Sequence, residues 1–214
     1  MRYTIAIKLE ENEKTNLQDG ARKYQLKHQQ DDWQRMTETE IKDAVVYCIV
    51  STQSRISTVE SFRKATKGKS IWNLTIPEIE RILREHHIRF PQKKAKWIAS
   101  LAGKEFLPKL RELAELRNRK LASSRKVRYL LKKQLALKGL GDKQVSHLLT
   151  KWLGFCNDLV PLDSRWDNFF RQHGLFEEHD DPRYVILEDL ILALANEIRV
   201  SPAELDEVVW KMMG

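Results

Sequence analysis

Lys143 stands two residues after the second glycine of Gly139-Leu140-Gly141, and Asp163 follows twenty residues later in the apolar context LVPLDSRW. Two glycines around one apolar residue let a tight turn present consecutive backbone N–H groups at the start of the next helix. There the helix dipole adds a positive potential suited to a phosphate. A lysine in the first turn of that helix opposes the dipole, so helix stability does not explain it. The same place favours the neutral form of an amine, the form that attacks a sugar C1′. An aspartate facing that amine can act as its acid–base partner or stabilise an oxocarbenium charge. Each residue also has a plainer use, Lys143 as a surface lysine and Asp163 as the N-cap of the following helix.

The elements that must position these residues read as helices. In IKDAVVYCIV the apolar residues Ile41, Ala44, Val45, Cys48 and Ile49 fall on one stripe, and Thr37 with Glu40 forms a capping box ahead of it. Thr75 before IPEIERIL and Ser201 before PAELDEVVW repeat the pattern, the second with Pro202 at the first helical position. Further helices are predicted at Thr58–Ala65, Gln92–Leu101, Lys104–Arg117, Ser124–Leu137, Asp142–Leu153, Arg165–Gln172 and Tyr184–Ile198. The strand-like alternation Tyr3, Ile5, Ile7, Leu9 has no partner and is read as an extended arm or a misread helix, and Glu177–Arg183 as an acidic loop. The expected fold class is all-α.

The 214 residues, 42% apolar and 32% charged, suit one compact unit rather than several domains. Eight Gly, six Pro and no solenoid period exclude collagen-like, linker-rich and repeat architectures. Apolar runs are far too short for a membrane span and no signal-peptide core follows Met1, so an intracellular protein of cytoplasm, nucleoid or nucleus is expected. Cys48 and Cys156 cannot by themselves build a disulfide framework or a thiolate metal site. The net charge of +8 is unevenly spread: Lys104 to Lys151 carries 14 basic and 4 acidic residues, Trp152 to Gly214 carries 5 and 13. The basic stretch, with Arg125, Lys126, Arg128, Lys132 and Lys133 leading into the hairpin, is either a solvated helix face or a surface for a polyanion.

KGLGDKQVSHLL followed by VPLDSRW resembles the helix-hairpin-helix superfamily of DNA glycosylases, with Lys143 on the nucleophilic lysine of its bifunctional members and Asp163 on its invariant aspartate. YCIVSTQS, Tyr47 to Ser54, is similar to the family's early helix and the polar loop that enters the DNA stack. HIRFPQKKAKWI and SPAELDEVVWKM resemble the archaeal-type 8-oxoguanine DNA glycosylases, and the similarity spans about Ile41 to Met212.

The resemblance implies one domain of two helical lobes with the active site in the cleft between them, residues 58–160 forming the hairpin-bearing lobe and residues 1–57 with 161–214 the other. It implies a bifunctional glycosylase/AP lyase that excises an oxidised purine, 8-oxoguanine in the first place, from double-stranded DNA. Lys143 would form a Schiff base followed by β-elimination, with Asp163 assisting. Gly139, Gly141 and Lys138 would hold a backbone phosphate, with no required cofactor and no metal beyond a monovalent cation on the hairpin carbonyls. Phe90 and Trp210 would flank the extruded base. From the residues alone both are equally core aromatics, and Gln53, matching the side chain that fills the gap in the duplex, is equally a helix cap. His147 reads as a packed or surface histidine and His86–His87 as an ordinary helix end. Two departures stand out: Arg165 replaces the histidine usual two positions after the aspartate, and the lysine-bearing tail beyond Trp210 is replaced by Lys211-Met212-Met213-Gly214. A monomer is expected. The competing readings are a lyase for another lesion or for abasic sites, and a non-catalytic hairpin module that binds DNA phosphates.

Overall fold

The structure, a computed structural model, describes residues 9–23, 32–175 and 184–213. Every regular element among them is helical: α1 (Glu11–Lys23), α2 (Glu38–Ser51), α3 (Ile56–Thr66), α4 (Ile76–Glu85), α5 (Pro91–Ala99), α6 (Phe106–Asn118), α7 (Ser124–Gln134), α8 (Asp142–His147), α9 (Ser164–Gln172), α10 (Tyr184–Glu197) and α11 (Pro202–Met212). Short 3-10 turns lie at Asp32–Arg35 and Ile71–Asn73. The expected loop at Glu177–Arg183, and Tyr3, Ile5 and Ile7 of the alternating stretch, lie outside the described residues.

Local chemistry sets the helix starts. Thr37 Oγ1 accepts the Glu40 N–H at 3.2 Å while Glu40 Oε2 accepts the Thr37 N–H at 2.7 Å, and Thr75/Glu78 and Ser201/Glu204 close the same reciprocal pair. Behind the first cap the stripe Ile41, Ala44, Val45, Cys48 and Ile49 is buried. One helix departs from expectation. The stretch Asp142–Leu153 is not uniformly α-helical: α8 ends at His147 and a π-helical turn, Leu148–Trp152, continues it, with the Leu153 N–H on the Leu148 carbonyl at 3.0 Å.

Two apolar cores result. The larger draws on residues 33–159, from Trp33 through α2 to α8. The smaller joins Leu9, Leu17 and Ala21 of the N-terminal part to Val160–Val209, where Trp166, Phe169 and Phe170 of α9 form an aromatic cluster. α2 buries its stripe in the larger core, while Leu9, Leu17 and Ala21 pack in the smaller one. α1, not foreseen from the sequence, lies on α11, with Gly20 so close to Val208 that a Cβ there would be 3.0 Å from its Cγ1.

A buried ionic brace ties the cores together. Glu188 of α10, fully buried, accepts from Arg128 Nη1 at 2.6 Å and pairs with Arg125 Nε at 2.8 Å, while Arg128 also donates to Ser146 of α8 at 2.9 Å. The Tyr184 ring lies 5.2 Å from the Arg128 guanidinium. The α8 helix is thereby fixed against the second core.

Candidate active site

The hairpin joins α7 to α8 through residues 135–141. Leu140 is buried in the larger core and pins the turn. Gly139 has φ +78°, and a Cβ at this position would stand 2.1 Å from Trp97 Cε3 of α5, so both conformation and space require glycine. Gly141 is the N-cap of α8 with an ordinary φ of −80°; its N–H donates to Gln144 Oε1 at 3.2 Å, so an anion reaching that amide must displace the Gln144 side chain. Lys138 is exposed beside the turn.

Lys143, in the first turn of α8, points across to the start of α9. Its Nζ is 3.2 Å from Asp163 Oδ2. Asp163 is the α9 N-cap: its Oδ1 accepts the Arg165 N–H at 3.0 Å, and its Oδ2 accepts from Arg165 Nη1 at 2.6 Å. Cap and ion pair thus use different oxygens of one carboxylate. The same guanidinium lies 5.0 Å over the ring of Trp210, which is 41% exposed. Lys143, Asp163 and Trp210 are brought together by Arg165, a residue the sequence marked only as a departure.

One turn along α8, His147 shares the face of Lys143. Burial pushes its imidazole down to about 4, with the charges of Lys151 and Lys143 adding to the effect. Lys151 bridges to α11, donating to the Ala203 carbonyl at 2.8 Å and pairing with Glu207 at 2.7 Å and Asp206 at 3.5 Å. Burial pushes Asp206 up to about 6, and its Oδ1 accepts from Trp166 Nε1 at 2.8 Å. The spacing Lys143, His147, Lys151 was the available sequence signal for this face.

Phe90 and Gln53 occupy exposed turns. Phe90, 50% exposed at φ +57°, is the N-cap of α5, so it is not a core aromatic. Gln53, at φ +54°, sits in the turn between α2 and α3 rather than capping α2, whose C-cap residue is Thr52. The basic stretch divides. Arg125 and Arg128 are engaged by Glu188 and Asp189, and Lys132 by Asp142 at 3.2 Å, so the expected polyanion surface is narrower than the charge count suggested. Lys126 and Lys133 flank the exposed Tyr129 ring at 5.1 and 5.7 Å. His86 caps α4 and contacts Ser61 Oγ at 3.2 Å. Cys48 and Cys156 are buried free thiols whose titration burial pushes up.

A family model described as 8-oxoguanine DNA glycosylase, of helix-hairpin-helix type, matches residues 22–200. The chain belongs to this glycosylase family. Relatives named 8-oxoguanine DNA glycosylase/AP lyase are 28% identical: over 150 residues in Thermotoga petrophila, covering 68% of this chain and 67% of the relative, and over 148 residues in Saccharolobus islandicus, covering 67% and 68%. The fold agrees with the crystal structure of the 8-oxoguanine DNA glycosylase of Thermotoga maritima, with a TM-score of 0.68 at 23% identity over 94% of this chain and 90% of that one. It also agrees with the Methanocaldococcus jannaschii 8-oxoguanine glycosylase/lyase in complex with a 15mer DNA containing 8-oxoguanine, with a TM-score of 0.69 at 17% identity over 93% and 89%. In this member of the glycosylase family, no helix among the described residues is long and apolar enough to cross a membrane. No group of three His, Cys, Asp or Glu side chains there is placed to hold a metal.

Proposed function

We propose that this protein is a bifunctional DNA glycosylase/AP lyase of base excision repair that removes 8-oxoguanine from duplex DNA through Lys143. The observation that carries the reading is the 3.2 Å approach of Lys143 Nζ to Asp163 Oδ2, from the first turn of the hairpin helix to the N-cap of α9. A hairpin that only binds phosphates does not require an amine and a carboxylate meeting at its mouth.

In this reading the damaged nucleotide leaves the stack, because C1′ is unreachable inside it. Lys143, having given up a proton, attacks C1′. The bond from C1′ to the base breaks, and the base departs and takes a proton. The sugar ring opens to an imine between Lys143 and C1′, loss of a C2′ proton expels the 3′ phosphate by β-elimination, and water hydrolyses the imine to free the lysine. Asp163 stabilises the positive charge developing on the sugar and accepts the Lys143 proton. Trp210 and Phe90 flank the flipped base, Gln53 fills the gap it leaves, and Gly139, Gly141 and Lys138 face a backbone phosphate. A monovalent cation, if bound as the resemblance implies, would be held by backbone carbonyls of the hairpin and would supply positive charge beside that phosphate; of these carbonyls Gly141 O already accepts the Val145 N–H at 3.1 Å.

The test is borohydride trapping on a duplex carrying 8-oxoguanine, alongside duplexes with other lesions or a preformed abasic site. The wild type gives a covalent complex with 8-oxoguanine DNA, and Lys143→Gln gives none while still binding DNA. Trapping by that variant sinks the assignment of the nucleophile. Trapping on abasic DNA alone replaces the substrate.

A further inference from the structure

Lys94 is buried to 1% exposure, and no ion pair to its amine is made among the described residues. Its Nζ donates to the carbonyls of Val50 at 2.9 Å and Thr52 at 2.6 Å and to Ser54 Oγ at 3.0 Å, which uses all three ammonium donors on the turn that presents Gln53. Lys94 also lies one turn into α5, where its own N–H donates to the carbonyl of Phe90 at 3.0 Å. One residue thus links the two exposed turns, its side chain holding one and its main chain the other, both with positive φ at the residue presented, Gln53 at +54° and Phe90 at +57°. Burial, with the charge of Arg89, pulls the amine down to about 8, so the protein holds this cation at a cost. An apolar side chain of the same length would fill the space without that penalty. What the amine adds is a fixed geometry between the turns.

We propose that Lys94 is a positioning residue that sets the Gln53 turn against the Phe90 turn, so that the residue entering the stack and the residue flanking the flipped base act as one rigid unit. The inference rests on the roles given above to Gln53 and Phe90. Such a clamp matters only when a duplex has to be opened.

The experiment compares single-turnover excision of 8-oxoguanine from a duplex with β-elimination on a single-stranded abasic oligonucleotide, which has no stack to open. Lys94→Met is expected to slow duplex excision about tenfold or more, since small misplacements of positioning groups reach ~10²-fold, and to leave single-strand cleavage within about twofold. Lys94→Arg, which keeps charge and donors, restores most of the duplex rate. Combining Lys94→Met with Gln53→Ala slows duplex excision little beyond the slower single variant, because both remove the same wedge. Ser54→Ala deletes one acceptor without emptying the core and produces a smaller loss of the same duplex-selective kind, so it decides the matter if Lys94→Met fails to fold. Equal losses on both substrates in the folded variants, or multiplicative effects of Lys94→Met and Gln53→Ala, overturn the proposal. A wild type that excises no lesion and forms no imine instead overturns the functional reading beneath it.

Discussion

Arg165 Nη1 lies 2.6 Å from Asp163 Oδ2, closer to that oxygen than Lys143 Nζ at 3.2 Å. Two cations thus share one carboxylate oxygen, and the arginine adds a third contact by lying 5.0 Å over Trp210. Arg165 therefore orients the carboxylate through its side chain, while the cap contact through Oδ1 is made by its main chain and survives side-chain substitution.

From that separation Arg165→Ala should slow base release by about tenfold, the size of a lost charge-assisted hydrogen bond, with little change in melting temperature. Arg165→Lys should recover only part of the rate, because a single ammonium cannot both hold Oδ2 and cover the Trp210 ring as the planar guanidinium does. Single-turnover rates beside melting curves test this. An Arg165→Ala variant at the wild-type rate would show the guanidinium to be a bystander.

Trp210 is 41% exposed and faces Arg165 rather than the core. If it stacks on the extruded base, Trp210→Ala should hurt excision far more than cleavage of a preformed abasic site, which has no base to stack. Base–aromatic stacking is worth roughly 1–3 kcal/mol, so the selective loss should be about ten- to a hundredfold. Equal losses on the two substrates, measured where the variant is folded, would remove Trp210 from the base site.

The brace between the cores gives a stability prediction. Glu188→Gln keeps the shape of the side chain but leaves Arg128 buried without its countercharge, and unpairing a buried charge costs about 3–5 kcal/mol. For a chain of this length that amounts to a drop of roughly 10 °C in melting temperature. Replacing both partners with apolar residues of similar volume should restore part of the loss. A Glu188→Gln protein melting within a degree or two of wild type would show that water reaches Arg128.

What was legible in the sequence is what local chemistry encodes. The capping boxes at Thr37, Thr75 and Ser201 need only residues three apart, and the α2 stripe only one helical period. Gly139-Leu140-Gly141 was readable because the turn is local. α1 was not: in ENEKTNLQDGARK only Leu17 and Ala21 are buried, and Gly20, an apparent helix breaker, is explained by Val208 on α11. Arg125 and Arg128 looked free because Glu188 lies 60 or more residues away. Lys94 gave no signal at all, since two of its three partners are backbone carbonyls and the third is the hydroxyl of Ser54.

His147 and Asp206 both feel the charge of Lys151, and their titrations oppose each other. His147 is pushed down to about 4 from its ordinary 6.5, so the unfolded chain binds more protons there between those values, and this group makes stability rise with pH across them. Its contribution is complete above 6.5 and is lost as pH falls through 4. Asp206 is pushed up to about 6 from 3.8, so the folded protein holds the extra proton. Its contribution is present below 3.8 and is lost as pH rises through 6. Each slope is at most about 1.4 kcal/mol per pH unit, and between pH 4 and 6 they have opposite signs and largely cancel. Asp206→Asn, which keeps the acceptor for Trp166, removes the falling slope and should leave stability climbing by about 2–3 kcal/mol from pH 4 to 6.5 relative to wild type. His147→Gln should tilt it the other way. Denaturant unfolding of the three proteins at pH 4, 5, 6 and 6.5 checks the signs. Parallel curves would mean that neither group is desolvated as its surroundings imply, and the face shared by Lys143, His147 and Lys151 would then be open to water.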